Sequence, residues 1–151
     1  MKKILQTLFY LFFPLFLGRI VAFIIRNHID YASLVKPFFA PPKLLFPIAW
    51  TIIYLLMGTS YYLYKKEFEE NGRIDGIYYL QLIVNLLWSI LFFLWKARFF
   101  AILWILLLDV LVLLLLSLFW SKKKISALLN IPYLFWILFA TYLTIGIFIL
   151  N

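Results

Sequence analysis

The sequence predicts an all-α integral membrane protein, a five-transmembrane-helix bundle with a structured proline-rich loop between its first two helices. Three observations predict it. The chain is 67% apolar and only 13% charged, against roughly half and a quarter in soluble domains, and its mean hydropathy is +1.05. Five apolar stretches each approach the ~20 residues that a helix needs to cross a bilayer. The breaks between them are short, and backbone groups in lipid must be satisfied within their own segment, which favours helices over an open sheet. The 151 residues form one domain, 1–151.

The first span covers about 4–26. Met1-Lys2-Lys3 before an apolar run resembles a signal peptide, but the run is long and no small-x-small cleavage site follows, so it is read as a retained helix. The first break contains Tyr31-Ala32-Ser33-Leu34-Val35-Lys36-Pro37-Phe38-Phe39-Ala40-Pro41-Pro42 and leads into Phe46-Pro47-Ile48-Ala49-Trp50. Proline fixes φ and disfavours helix in the residue before it. This segment is therefore a stiff aromatic lid rather than a linker.

The second span, about 43–65, ends in the charged stretch Lys65 to Asp75, with a turn-forming Asn71-Gly72. The third covers about 76–95 and is linked by Lys96-Ala97-Arg98 to the fourth, about 99–120. Ser121-Lys122-Lys123-Lys124 leads to the fifth, about 126–149. Links this short make neighbours antiparallel. Lys2, Lys3, Lys65, Lys66, Arg73, Lys122, Lys123 and Lys124 then stand at one end, eight cations, against five at the other: Arg26, Lys36, Lys43, Lys96 and Arg98. That excess places the N-terminus inside and the loop after the first helix outside.

Several chemistries are excluded or weakened. There is no cysteine, hence no disulfide and no thiol nucleophile. The net charge of +8 comes from cations scattered between apolar runs, which sets membrane orientation rather than nucleic-acid binding. His28 is the only histidine and sits beside Arg26 and Asp30; a solvated loop role is preferred to haem ligation, and no metal site is expected. Among the serines, only Ser33 has His28 nearby, so hydrolase chemistry is not expected. Five short spans do not suggest an inverted transporter repeat, and a single membrane Asp does not suggest a channel.

What remains is a pocket. Trp50 and Tyr54 share a stripe on the second helix, Gln81, Asn85 and Trp88 on the third, and Trp136, Ala140 and Leu143 on the fifth. Trp50 and Trp88 lie at similar depth, about 10 Å from the lid end, and Trp104 is near them on the fourth helix. If these stripes face inward they line an aromatic chamber with few polar groups, the make-up of a small-molecule site. Trp95 and Trp120, at helix ends, suit an interfacial belt. Asp109 stands in a run of Leu and Val; a carboxylate there is either a ligand group or an interhelical hydrogen-bond partner. Arg19 either snorkels or meets Asp109.

Several blocks, in order, then carry a resemblance. They are Leu34-Val35-Lys36-Pro37 with Pro41-Pro42, Phe46-Pro47-Ile48-Ala49-Trp50 through Tyr54 to Gly58, Gln81 through Asn85 to Trp88-Ser89, and Ile131-Pro132-Tyr133 through Trp136 to Leu143. With them the whole chain resembles the TspO/MBR family, that of the tryptophan-rich sensory proteins and the mitochondrial translocator protein. The resemblance implies a homodimeric receptor or carrier in the membrane, here the bacterial cytoplasmic membrane. It further implies binding of porphyrins such as protoporphyrin IX and other flat hydrophobic ligands, with no cofactor required. The ligand-binding residues expected are Tyr31, Pro41, Phe46, Trp50, Tyr54, Asn85, Trp88, Trp104, Asp109, Trp136, Ala140 and Leu143, with Lys36 or Arg98 pairing a ligand carboxylate. Two alternatives use the same pocket: light-dependent porphyrin degradation assisted by Trp50 and Trp136, and a ligand-responsive scaffold for a partner protein. Where the family has Trp before the loop tyrosine and Ser-Trp after Lys-Pro, this chain has Asp30 and Phe38-Phe39. The C-terminal cholesterol motif of mitochondrial members is absent after Tyr142.

Overall fold

A computed structural model describes residues 2–68 and 72–151, with the backbone alone for residue 2. Helices run Lys2–Ile25 (α1), Leu45–Glu67 (α2), Gly72–Ser89 (α3), Arg98–Lys122 (α4) and Lys124–Leu150 (α5), and a π-helical turn, Ile90–Leu94, extends α3. All five spans are long and apolar enough to cross a membrane, that of α3 including its π turn. The expected turn at Asn71-Gly72 falls on Asn71, which with Glu69 and Glu70 lies outside the described residues.

Three helix ends differ from the sequence expectation. The third helix begins at Gly72 rather than near 76. Asp75, assigned to the charged loop, lies in its first turn, where a carboxylate suits the helix dipole. It accepts from Lys65 Nζ at 3.0 Å and from the Tyr61 hydroxyl at 2.8 Å, so α2 and α3 stay paired beyond the apolar stretch. The lysine run is not a loop either: only Lys123, with φ −143° and ψ 89°, separates α4 from α5.

Glycine sets the close pairing of α1 with α2. Pro14, buried in α1, has no N–H to give the carbonyl one turn back, that of Tyr10. Gly58 of α2 approaches this same region: a Cβ on it would lie 2.1 Å from the Leu11 carbonyl oxygen and 2.8 Å from that of Tyr10. Only a hydrogen at Cα permits this approach, as is common where membrane helices meet. Gly18 of α1 is covered by the ring of Tyr54 in the same manner.

Polar pairs join the remaining helices. Trp104 Nε1 donates to the Val84 carbonyl at 2.9 Å, tying α4 to α3. Thr141 Oγ1 donates to Asp109 Oδ2 at 2.9 Å, tying α5 to α4. Ser60 and Ser126 each donate to the other's carbonyl, at 2.9 and 2.8 Å, tying α2 to α5.

The segment between α1 and α2 (26–44) packs as a structured lid. Tyr31 is only 4% exposed, and its hydroxyl donates to the Pro41 carbonyl at 2.8 Å. Lys36 Nζ donates to the carbonyls of Tyr31, Ala32 and Leu34. Pro37 presses on Gly146 of α5, where a Cβ would come within 2.7 Å of its ring. Asn151 both accepts from and donates to the Val35 backbone, and the Tyr142 hydroxyl donates to the Phe38 carbonyl. The lid, the C-terminus and the turn before α4 thus share one end of the bundle. Lys123 pairs with Glu67 at the other.

Candidate functional site

Beneath the lid lies a cavity of 480 Å³. Its walls are a face of α1, the start of α2 and the end of α3 with its π turn, and Ile29 and Tyr31 close it from the lid. π turns recur at functional positions because they re-aim side chains. Here Ser89, just before the turn, and Phe93, within it, both reach the cavity.

Five of the twelve residues expected from the sequence meet there: Tyr31, Phe46, Trp50, Tyr54 and Trp88. Trp50 and Tyr54 stack at 5.3 Å between ring centroids, 25° apart, as their i, i+4 spacing on α2 requires. Tyr31 meets Phe46 edge-on at 5.0 Å, which carries the aromatic wall into the lid. Burial raises the Tyr31 phenol above its ordinary pKa, which keeps it the donor to Pro41. Trp88 is buried and stacks on Phe92, and its Nε1 has no hydrogen-bond partner among the described residues.

The other seven support the cavity or stand apart from it. Asn85 lies behind the wall: it accepts from the Tyr54 hydroxyl at 2.7 Å and donates to the Tyr133 hydroxyl at 2.9 Å. Tyr133 in turn donates to Gln81 Oε1 at 2.8 Å, so one buried chain links α2, α3 and α5. Trp136 packs edge-on against Trp50 at 6.3 Å and Phe46 at 5.9 Å but does not itself line the cavity. Pro41 contributes its carbonyl to Tyr31.

Trp104, Asp109, Ala140 and Leu143 do not line the cavity. Trp104 and Asp109 are spent on the α3–α4 and α4–α5 contacts described above, and Ala140 and Leu143 are buried on α5. The expectation of a chamber among α2, α3, α4 and α5 is thereby corrected: the cavity found here keeps the α2 and α3 walls but has α1, not α4 and α5, opposite them. Within a bundle an inward stripe faces neighbouring helices as readily as a void.

The cations expected to meet a ligand are also engaged elsewhere. Lys36 is held by three lid carbonyls and lies 5.2 Å from the Tyr31 ring centroid. Arg98 donates to Asp30 Oδ2 at 2.9 Å, and Lys96 reaches the same oxygen at 3.5 Å. Asp30 thus clamps the lid to the start of α4. Phe38 and Phe39 are 79% and 78% exposed and point away from the cavity. Phe39 has φ 68°, an unusual value for a residue with a Cβ, at the lid's outer corner.

Sequence reasoning missed the α1 wall: Leu15, Gly18, Arg19, Val21, Ala22 and Ile25. One signal was present. Gly18 and Ala22 are small residues at i, i+4 spacing on one helix face, a pattern that marks close approach to another element. Lys43 and Thr51 were missed as well. Arg19 does not meet Asp109; its Nη2 donates to Thr51 Oγ1 at 3.2 Å.

The family model described as the TspO/MBR family matches residues 10–150. The chain is 41% identical over 122 residues to the tryptophan-rich protein TspO of Archaeoglobus fulgidus, covering 80% of this chain and 79% of the relative. It is 31% identical over 152 residues to the tryptophan-rich protein TspO of Bacillus cereus, covering 100% and 99%. It is 32% identical over 117 residues to the human translocator protein, covering 75% and 69%.

Proposed function

The chain belongs to the TspO/MBR family of integral membrane proteins, and from that premise we propose that it is a membrane receptor or carrier for porphyrins, protoporphyrin IX and haem-like tetrapyrroles among them. One observation carries this reading: a 480 Å³ cavity walled by Trp50, Tyr54 and Trp88 under a tied-down aromatic lid. The volume falls within the range of roughly 300–1,000 Å³ typical of small-molecule sites. Stacked aromatic rings favour a flat conjugated ligand. The closed lid suits sensing or carriage, where a bound molecule is held and then released. We place the protein in the bacterial cytoplasmic membrane, N-terminus inside and lid outside, as a homodimer. With Gly18, Gly58 and Gly146 engaged within the chain, the dimer contact would be made by broad apolar helix faces.

A second reading, light-dependent porphyrin breakdown, is supported by the contact between Trp50 and Trp136, which would join a ligand on Trp50 to a second indole. One absorbance series separates the two. Purified protein is mixed with protoporphyrin IX in light and in dark. A stable, shifted Soret band in both supports a receptor or carrier; light-dependent loss of the band with a new product supports an enzyme. No shift in either condition counts against both.

A further inference from the structure

The charge of the cavity is unbalanced. Arg19 from α1 and Lys43 from the end of the lid both line it, and no Asp or Glu among the described residues does. Arg19 lies on α1 short of the helix end at Ile25, about 9 Å from that end at 1.5 Å per residue. A cation at such depth is costly unless something pairs with it. Of the five N–H donors of its guanidinium, one is taken among the described residues, by Thr51 Oγ1 at 3.2 Å. Thr51 gives its own proton to the Pro47 carbonyl at 2.6 Å, so its oxygen is oriented to accept from Arg19. This one exposed bond orients the guanidinium and leaves its other donors unpaired among the described residues. Lys43 has no hydrogen bond or ion pair among the described residues. Three of the other cations at this end differ: Asp30 takes Arg98 and Lys96, and lid carbonyls take Lys36, while Arg26 lies over the Phe23 ring.

Building on the porphyrin reading, we infer that Arg19, assisted by Lys43, receives the carboxylate edge of the ring ligand, so that the site selects an acid-bearing flat molecule over a neutral one of the same shape. The ring would lie on Trp50 and Tyr54 while its acidic edge meets α1. A guanidinium fork matches a carboxylate with two parallel hydrogen bonds.

Fluorescence-quench titrations in phosphatidylcholine nanodiscs test this, with protoporphyrin IX and its neutral dimethyl ester as probes. The wild type should bind the acid about tenfold more tightly than the ester, the scale of a charge-assisted hydrogen bond. Arg19→Gln should remove that preference by lowering affinity for the acid far more than for the ester, and an unchanged melting temperature shows that the variant is folded. Arg19→Lys should restore part of the preference, and Lys43→Gln should lower it to a smaller degree. Equal binding of acid and ester by the wild type overturns the inference but leaves the porphyrin reading standing. Equal loss of both ligands in Arg19→Gln makes the residue structural and likewise overturns it. If phosphatidylglycerol in the discs abolishes the wild-type preference, the cations hold lipid headgroups instead, and the inference fails. If neither probe binds the wild type, the porphyrin reading fails and the inference with it.

Discussion

The hydroxyl of Tyr54 donates to Asn85 Oδ1 across 2.7 Å, inside the bundle, while the ring of the same tyrosine forms part of the cavity wall against Trp50. One side chain therefore belongs both to the site and to the buried chain that runs through Asn85 and Tyr133 to Gln81. Tyr54→Phe separates the two roles. It leaves the ring on Trp50 but strands Asn85 Oδ1 without its donor, which should lower stability by about 1–3 kcal/mol and change porphyrin affinity little. Asn85→Leu leaves the Tyr54 hydroxyl without its acceptor and removes the donor to Tyr133, which keeps its bond to Gln81, and should be the more destabilising of the two. Thermal unfolding in detergent, paired with a binding titration, reads both effects; a large loss of affinity in Tyr54→Phe without loss of stability would contradict this division.

The aromatic map makes a graded prediction. Trp50→Ala and Trp88→Ala should each weaken porphyrin binding by about 1–3 kcal/mol, the scale of a lost buried aromatic contact. Trp136→Ala should have a smaller effect, because Trp136 packs against Trp50 and Phe46 without lining the cavity. Trp120→Ala should have none, since Trp120 is exposed at the opposite end. Fluorescence-quench titration of the four variants ranks them, and an equal effect of Trp120→Ala and Trp50→Ala would remove the cavity from consideration as the site.

Glycine spacing predicts stability. Gly58→Ala drives a methyl group into the α1 backbone, and should cost about 1–3 kcal/mol or more, as overpacking does. Gly76→Ala meets nothing within 4 Å and sits inside α3, so it should be neutral or stabilising by up to about 1 kcal/mol, the helix preference of Ala over Gly. The melting temperature should fall in Gly58→Ala and stay level or rise in Gly76→Ala. Ala140→Phe belongs with the former: Ala140 is buried on α5 away from the cavity, so bulk there should destabilise the bundle rather than block the ligand.

The clamp at Asp30 predicts lid behaviour. Asp30→Asn removes the charge that Arg98 and Lys96 share. Lid amides around Tyr31 to Val35 should then exchange with deuterium faster, while amides of α4 and α5 keep their protection. Ligand release should accelerate with little change in the association rate, the usual result when a closed contact is loosened. An unchanged exchange pattern would mean that Tyr31, Lys36 and Asn151 hold the lid without the clamp.

Orientation is testable by reporter fusion. The eight-to-five division of cations between the two ends predicts that a reporter after Asn151 is active outside the cytoplasm, and one inserted at Lys123 active inside it. A reporter at Asn151 active in the cytoplasm would reverse the assignment.

Taken by itself, the sequence determined the number and order of the helices and the stiffness of the lid. Both are local properties: the length of an apolar run must match a bilayer, and Pro37, Pro41 and Pro42 exclude helix whatever surrounds them. It also placed Trp50, Tyr54 and Trp88 together, because helical spacing and depth from a common end can be counted along the chain. Tertiary structure alone decided which helices bound the cavity. In water, an amphipathic pattern shows which side of a helix faces inward; in lipid, the outer face is as apolar as the inner one, so α1 carries no such pattern and its rotation is set by packing. Hence the α1 wall with Arg19 was not expected, and Asp109, Trp104, Ala140 and Leu143 were assigned to a cavity that they do not line. The capture of Lys36 by lid carbonyls and of Arg98 by Asp30 was equally hidden, since Arg98 and Asp30 lie far apart in sequence and meet only when the lid folds over the bundle.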